Sequence, residues 1–344
     1  MLENMAEKHM PIIENDYDSE DFVFVQRNEI LTDKEYADTS YLKDVWSHFK
    51  RNKGAVIGMV IIVLIILLAV IGPMISGYSY KEIQIQVQNL PPKIPGLGWL
   101  GFNGTLKGVD LYSQKGFSNM AFWFGTDTQG RDLFTRVWEG TRISLIIALT
   151  AVLIDVFIGM SYGLISGYFG GKVDMIMQRI AEILNGIPTL VVVTLLGLVL
   201  PSGIISIIFA LMITGWIGMS RIARAEVLKL KESEYILASR TLGAKNFAII
   251  FKEIMPNIFG QIIVMSMFSI PNAIFTEAFL SFVGLGIQPP MASLGSLISE
   301  GYKSFTVYPY MIAAPIIVLA LLMLSFNLFA DGIRDAFDPN QKQR

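Results

Sequence analysis

Apolar positions in this chain are neither alternated as in a strand nor confined to one face of a helix. They are massed in long runs separated by polar stretches. A helix crossing about 30 Å of hydrocarbon needs roughly 20 apolar residues, and six runs approach or exceed that length. They cover 55–75, 143–165, 183–200, 203–223, 258–282 with Pro271 inside it, and 311–330. The pattern predicts an all-α integral membrane protein with six transmembrane helices. The first run follows 54 largely polar residues and is too long for the apolar part of a secretion signal, so it is expected to stay in the mature protein.

The intervening segments divide the chain further. Residues 1–40 show no period of 2 or 3.6 and predict a mobile acidic tail. In 41–54, Leu42, Val45, Trp46 and Phe49 fall at helical spacing among Lys43, Lys50, Arg51 and Lys53, which suits an interfacial amphipathic helix leading into the span at 55–75. Residues 76–142 form a long loop between the first two spans. Within it IQIQVQ at 83–88 alternates as a half-buried strand does, and 91–104 reads as turns. Asn103-Gly104-Thr105 matches a glycosylation sequon, but Asn-Gly favours a turn, which is the expectation here. Some 45 residues build little core, so the loop is expected to rest as a cap on the spans or on a partner. Residues 143–330 are expected to hold the remaining five spans and a polar loop at 221–257, with a tail at 331–344.

Lys and Arg set the orientation. If the N-terminus is cytoplasmic, the short inner segments carry Lys172, Arg179, Arg221, Arg224, Lys229, Lys231, Arg240, Lys245 and Lys252, among others, whereas the short outer loops carry only Lys303. Basic residues concentrate in cytoplasmic loops, so both termini are expected inside, and loops of the length of 76–142 escape this rule.

Composition narrows the function. The chain is 53% hydrophobic and 16% charged, against about 25% charged in soluble domains. The first 45 residues hold twelve carboxylates and four basic residues. No basic face is left for phosphates, and a nucleic-acid partner is not expected. Without Cys there is no thiolate metal ligand or Cys nucleophile. GMSYG at 159–163 matches a nucleophile elbow, but it lies inside a span, and His9 and His48 are both near the N-terminus. Gly159, Gly163 and Gly167 recur every four residues and predict close helix packing instead. GYFGGKV at 167–173 lacks the first Gly and the final Ser/Thr of a phosphate loop, having Ser166 and Val173 there. No metal-ligand cluster is visible. Asp155 and Glu277 are the acids inside spans and, by default, candidates for a translocation pathway, with Asn272 beside them; a buried structural hydrogen bond is the competing role for both acids.

Between the fourth and fifth runs, KESEYILASRTLGAKNFAIIFKEIMPN predicts a helix over 232–242, a stop at Gly243, a second helix from Asn246 and a break at Pro256. Tyr235, Leu237, Ala238 and Leu242 give the first helix an apolar strip suited to a groove on another protein. This loop resembles the EAA motif of ABC importer permeases. Ala238 and Ser239 stand for its small pair, Gly243 for its Gly, and Ile254-Met255-Pro256 for its hydrophobic-Pro end, while Leu237 replaces its acid. FGTDTQGRDLFTRVWEGTRISL, GYFGGKVDMIMQRIAEILNGIP, EAFLSFVGLGIQPP and FNLFADGIRDAFDP resemble, in order, the C-type permease subunit of oligopeptide importers.

The resemblance implies a type I ABC importer permease (MetI-like) architecture in the bacterial cytoplasmic membrane. It implies a coupling helix whose Glu234, Tyr235, Ala238, Ser239, Gly243, Ala244 and Pro256 dock onto an ATPase. The implied partners are a homologous B-type permease, two cytoplasmic ABC ATPases that bind the ATP and Mg, and an extracellular peptide-binding protein. No cofactor or catalytic site of this chain's own is implied. A dipeptide or nickel importer permease, an ion-coupled secondary carrier and a membrane scaffold stand as alternatives.

Overall fold

The computed structural model describes residues 41–200 and 203–337; the acidic tail at 1–40 and the end of the chain from 338 lie outside the described residues. From Val45 the chain forms one unit. Among the described residues, five helices are long and apolar enough to cross a membrane, or six if one bent pair is a single span.

Helix α1 (Tyr41–Arg51) is followed after one residue by α2 (Lys53–Ile75). That residue, Asn52, caps α2 by accepting from the Ala55 N–H at 3.1 Å, and its amide donates to Asp335 at 3.0 Å. Phe49 is buried against Phe329, whereas Trp46 is exposed beneath the Lys50 ammonium.

The loop after α2 does fold on a small core of Val87, Leu90, Tyr112 and Phe122. The strand expected at 83–88 is absent; Ile85–Val87 is a 3-10 turn. Of the three apolar positions only Val87 is buried, while Ile83 and Ile85 face out, so the alternation marked no sheet face. The loop's sheet is the two-residue pair β1 (Thr105–Leu106) and β2 (Val109–Asp110), joined through Lys107 and Gly108, both at positive φ. Asn103-Gly104 is a turn: Gly104 has φ +79°, and the Asn103 side-chain Oδ1 accepts from the Thr105 N–H at 3.0 Å. Asp110 caps the short α3 (Leu111–Gln114).

The second span starts at Leu133, earlier than the apolar run indicates. It comprises α4 (Leu133–Ile154), a π-helical segment (Asp155–Met160) and α5 (Ser161–Phe169). Arg136 and Glu139 hid this start from a search for uncharged residues, yet both are buried.

The third run is not one helix. Helix α6 (Gly171–Asn185) and α7 (Thr189–Val199) meet at 77°, because Gly186 and Pro188 interrupt them and proline supplies no N–H to carry a helix through. Then come α8 (Ile204–Thr214), α9 (Ile217–Leu230), α10 (Glu234–Thr241) and α11 (Asn246–Ala248).

A second π segment (Ile249–Ile254) runs on into α12 (Met255–Phe282). The break expected at Pro256 does not occur. The Met255 N–H reaches back to the Ile250 carbonyl, and the proline that follows needs no donor of its own. Helix α12 also continues through Pro271. The chain ends in α13 (Leu294–Lys303) and α14 (Tyr310–Phe337). The main core lies where α2, α4, α12, α13 and α14 meet, around Ile147, Trp138, Ile274 and Leu322.

Candidate functional site

The polar loop after α9 folds as a hairpin of helices at the end of the bundle rich in Lys and Arg. Ser233 holds the extended backbone before α10, Glu234 lies in the first turn and Arg240 in the last, each the favourable sign for the helix dipole. Gly243 ends α10 in the left-handed region at φ +82°. The Gly243 N–H bonds the Arg240 carbonyl at 3.1 Å and the Ala244 N–H bonds the Ser239 carbonyl at 3.0 Å, the two bonds of a Schellman motif. The chain then turns into α11.

The strip read from the sequence faces outward. Tyr235, Leu237 and Ala238 are exposed, Leu242 is 88% exposed, and Phe247 and Phe251 stack side by side beyond them. The anchor is Ile236, which the sequence reading left out. It is fully buried in a cluster with Val227, Ile249, Ile250 and Ile254. A single apolar residue between two of the strip gives no periodic signal; only the fold shows which side is held.

Glu234 and Pro256 are exposed, and Ser239 and Ala244 are half-buried. Tyr168 at the end of α5 braces both arms. Its hydroxyl donates to Asn246 at 2.9 Å, and the Arg240 guanidinium lies 5.4 Å from its ring centre.

The hairpin connects to the spans through α9. A Cβ at Gly159, Gly163 or Gly167 would come within 3 Å of α9 or of Trp216 just before it, so these glycines let α5 and α9 touch along their length, as their spacing predicts. Beside this seam Arg224 of α9 grips Asp174 of α6, and the Lys231 ammonium donates to the Gly167 carbonyl at 3.2 Å.

The three pathway candidates occupy different environments. Glu277 has no exposed surface; Ser144 of α4 and Ser281 each donate to it at 2.7 Å, so it cross-links helices inside this chain. Asp155 is buried in the π segment, near Ser269 of α12. Asn272 alone is exposed, on the α12 face that also presents Asn257 and Gln261. Gln261 was missed because it stands apart in sequence from the two acids inside the spans, and only the helix brings it to the face of Asn272.

The sequence reading also overlooked a buried cluster near the loop core. Arg136, fully buried, donates to Asp127 and Glu300 at 2.6 Å each, and Arg131 reaches the same two carboxylates. Among the described residues no group of His, Cys, Asp and Glu is placed to hold a metal.

A bundle of apolar spans, with one helical hairpin anchored by Ile236 and an apolar edge turned outward, defines an α-helical integral membrane protein. Residues 159–343 match the family model described as binding-protein-dependent transport system inner membrane component, and residues 40–92 match the N-terminal TM domain of oligopeptide transport permease C. The chain belongs to this family of inner membrane transport components.

It is 44% identical to the oligopeptide transport system permease protein OppC of Bacillus subtilis (strain 168), over 88% of this chain and 91% of the relative. It is 45% identical to the dipeptide transport system permease protein DppC of Lactococcus lactis subsp. cremoris (strain MG1363), over 88% and 92%. A solved chain of the methionine ABC transporter MetNI, inward-facing, aligns over 58% of this chain and 96% of its own, at 18% identity and a TM-score of 0.49.

Proposed function

We propose that this chain is a permease subunit of an ATP-driven peptide importer in the bacterial cytoplasmic membrane, paired with a homologous permease. Two relatives at 44% and 45% identity carry the names of oligopeptide and dipeptide permeases, and peptide import is the activity taken from them. Both termini face the cytoplasm, in keeping with the Lys and Arg of 221–257 and of the ends of α1 and α14.

The observation that carries the mechanism is the hairpin. Ile236 is fixed in the core while Leu242, Leu237 and Tyr235 project, so an ATPase gripping the exposed edge moves α10 with its anchor rather than unfolding it. The motion passes along the α5–α9 seam to the spans, which alternate between openings on the two sides. Energy comes from ATP and Mg bound by two cytoplasmic ATPases, since the chain carries no phosphate loop of its own. Peptide is delivered by an extracellular binding protein and crosses between the two permeases past Asn272 and Gln261, whose amides offer the hydrogen bonds that lipid cannot. Glu277 and Asp155 serve as ties within the bundle.

Gly243 provides the test. A Cβ there meets nothing within 4 Å among the described residues, but the left-handed φ disfavours a β-branched residue by about 1–2 kcal/mol. In the reconstituted complex, Gly243→Val is expected to abolish peptide-stimulated ATP hydrolysis with insertion normal, and Gly243→Asn, which tolerates this φ, to retain part of it. Unchanged stimulation in Gly243→Val would remove the hairpin from the coupling role. Labelled peptides of graded length then separate the oligopeptide from the dipeptide assignment.

A further inference from the structure

A groove of about 380 Å³ opens on the side of the bundle between α2 and α4. Ile62, Ile66 and Val70 form one wall, and Arg142, Ile146 and Leu149 form the other. Ile270 of α12 and Phe326 of α14 close its floor. The α2 wall covers eight residues of rise and the α4 wall seven, so the groove runs about 10–12 Å along the two helices. Both helices are spans, and Ile66, Val70, Ile146 and Leu149 are all exposed, so the groove opens toward the hydrocarbon.

Its two ends differ. Arg142 is the groove residue of α4 closest to the start of that helix and Val70 the one of α2 closest to its close, so the single cation stands at the end of the groove facing the folded loop of 76–132. The Arg142 side chain is 47% exposed, and Glu139, buried one turn earlier, accepts one of its N–H groups. Arg142 lines the groove, and the other side chains that line it are apolar. A charged group at membrane depth finds a partner or extends toward the headgroups, and a guanidinium fork fits phosphate oxygens as well as it fits a carboxylate.

We propose that this groove is a binding site for one glycerophospholipid, an acyl chain lying between α2 and α4 and the phosphate diester held by Arg142. An acyl chain matches the apolar walls, and the phosphate matches the cation at the end of the groove nearest the interface. The inference does not depend on what the transporter carries.

Native mass spectrometry on the full chain, purified with the subunits that accompany it, tests the site with three added probes: phosphatidylglycerol, phosphatidylcholine and diacylglycerol. One phospholipid of either headgroup is expected to be retained per chain after mild delipidation, and diacylglycerol, which lacks the phosphate, about tenfold less. Ile146→Trp, which fills the groove, is expected to remove the retained lipid. Arg142→Gln alone leaves Glu139 buried without its partner, so the headgroup arm uses E139Q/R142Q, in which no charge is orphaned. That pair is expected to erase the preference for phospholipid over diacylglycerol. Full retention in Ile146→Trp, or an intact preference in E139Q/R142Q, overturns the proposal. So does a protein cross-link from Ile66→Cys, a unique thiol in this Cys-free chain, because a subunit would then cover the groove.

Discussion

Arg224 grips Asp174 with both prongs of its guanidinium, Nε to Oδ1 at 2.6 Å and Nη2 to Oδ2 at 2.5 Å, and so ties α9 to α6. Helix α9 leads into the helical hairpin of α10 and α11, and α6 is one arm of the bent pair. Lysine keeps the charge but not the fork. With both side chains partly exposed, Arg224→Lys is expected to cost only about 1 kcal/mol of stability, yet to reduce transport several-fold. Transport rate and thermal midpoint measured on the same preparation decide it. A loss of transport no larger than the stability loss explains would make the pair structural only.

The cluster of Asp127, Arg131, Arg136 and Glu300 balances two charges of each sign around a fully buried guanidinium. Removing one member leaves the others desolvated and uncompensated. Arg136→Leu is expected to destabilise the fold by about 3–5 kcal/mol. Because Asp127 and both arginines are buried, the loss should change little between low and high salt. Thermal unfolding in detergent at two ionic strengths measures both, and a loss that vanishes in high salt would contradict the buried assignment.

At Gly163 a Cβ would lie 2.3 Å from the Ser220 carbonyl oxygen and 2.7 Å from the Ala223 methyl. Gly163→Ala is expected to force α5 from α9 and to cost about 1–3 kcal/mol. Gly197 in α7 has nothing within 4 Å of a Cβ, and Gly197→Ala is expected to be neutral or slightly stabilising. Parallel melts of the two variants test the seam.

Asp132 caps α4, its carboxylate accepting from the Thr135 N–H at 2.9 Å. Burial pushes its carboxyl above the ordinary Asp value, against the pull of the Thr135 hydrogen bonds. The folded chain therefore holds this proton more tightly than the unfolded chain. Its contribution is most favourable at low pH and declines as pH rises through the raised value. Asp132→Asn keeps the cap without the charge, and is expected to flatten this part of the profile above about pH 4, the ordinary Asp value. Asp132→Ala loses the cap and about 1 kcal/mol at every pH. Melting curves across that range distinguish the two.

The spans were legible because hydrocarbon excludes charge, and a long uncharged run is stable in few places besides a bilayer. The same criterion misplaced the start of α4, since Arg136 and Glu139 are buried with partners that only the fold assembles. Helix α10 and its end at Gly243 were legible from local chemistry, a left-handed stop that few residues accept. Ile236 was not, because one apolar residue beside an apolar strip does not reveal which side is held. Pro256 was read as a break by a rule that assumes α-type bonding throughout; the π segment before it changes the partner by one residue. IQIQVQ has a strand's rhythm, but a strand needs a neighbour, and no rhythm supplies one.

Neither arm of the bent pair crosses a bilayer alone, since α6 measures about 22 Å and α7 about 16 Å at the helical rise. Where they meet, 185–188 are exposed; the Gly186 and Ile187 N–H groups bond back to α6 carbonyls and the Pro188 carbonyl accepts from α7, so the backbone groups left without a helical partner are mainly carbonyls. Hydrocarbon cannot hydrate such groups. If the pair forms one span, the elbow at Pro188 needs polar company inside the membrane, from water or from protein, so the surroundings of this bend differ from those of the uninterrupted spans.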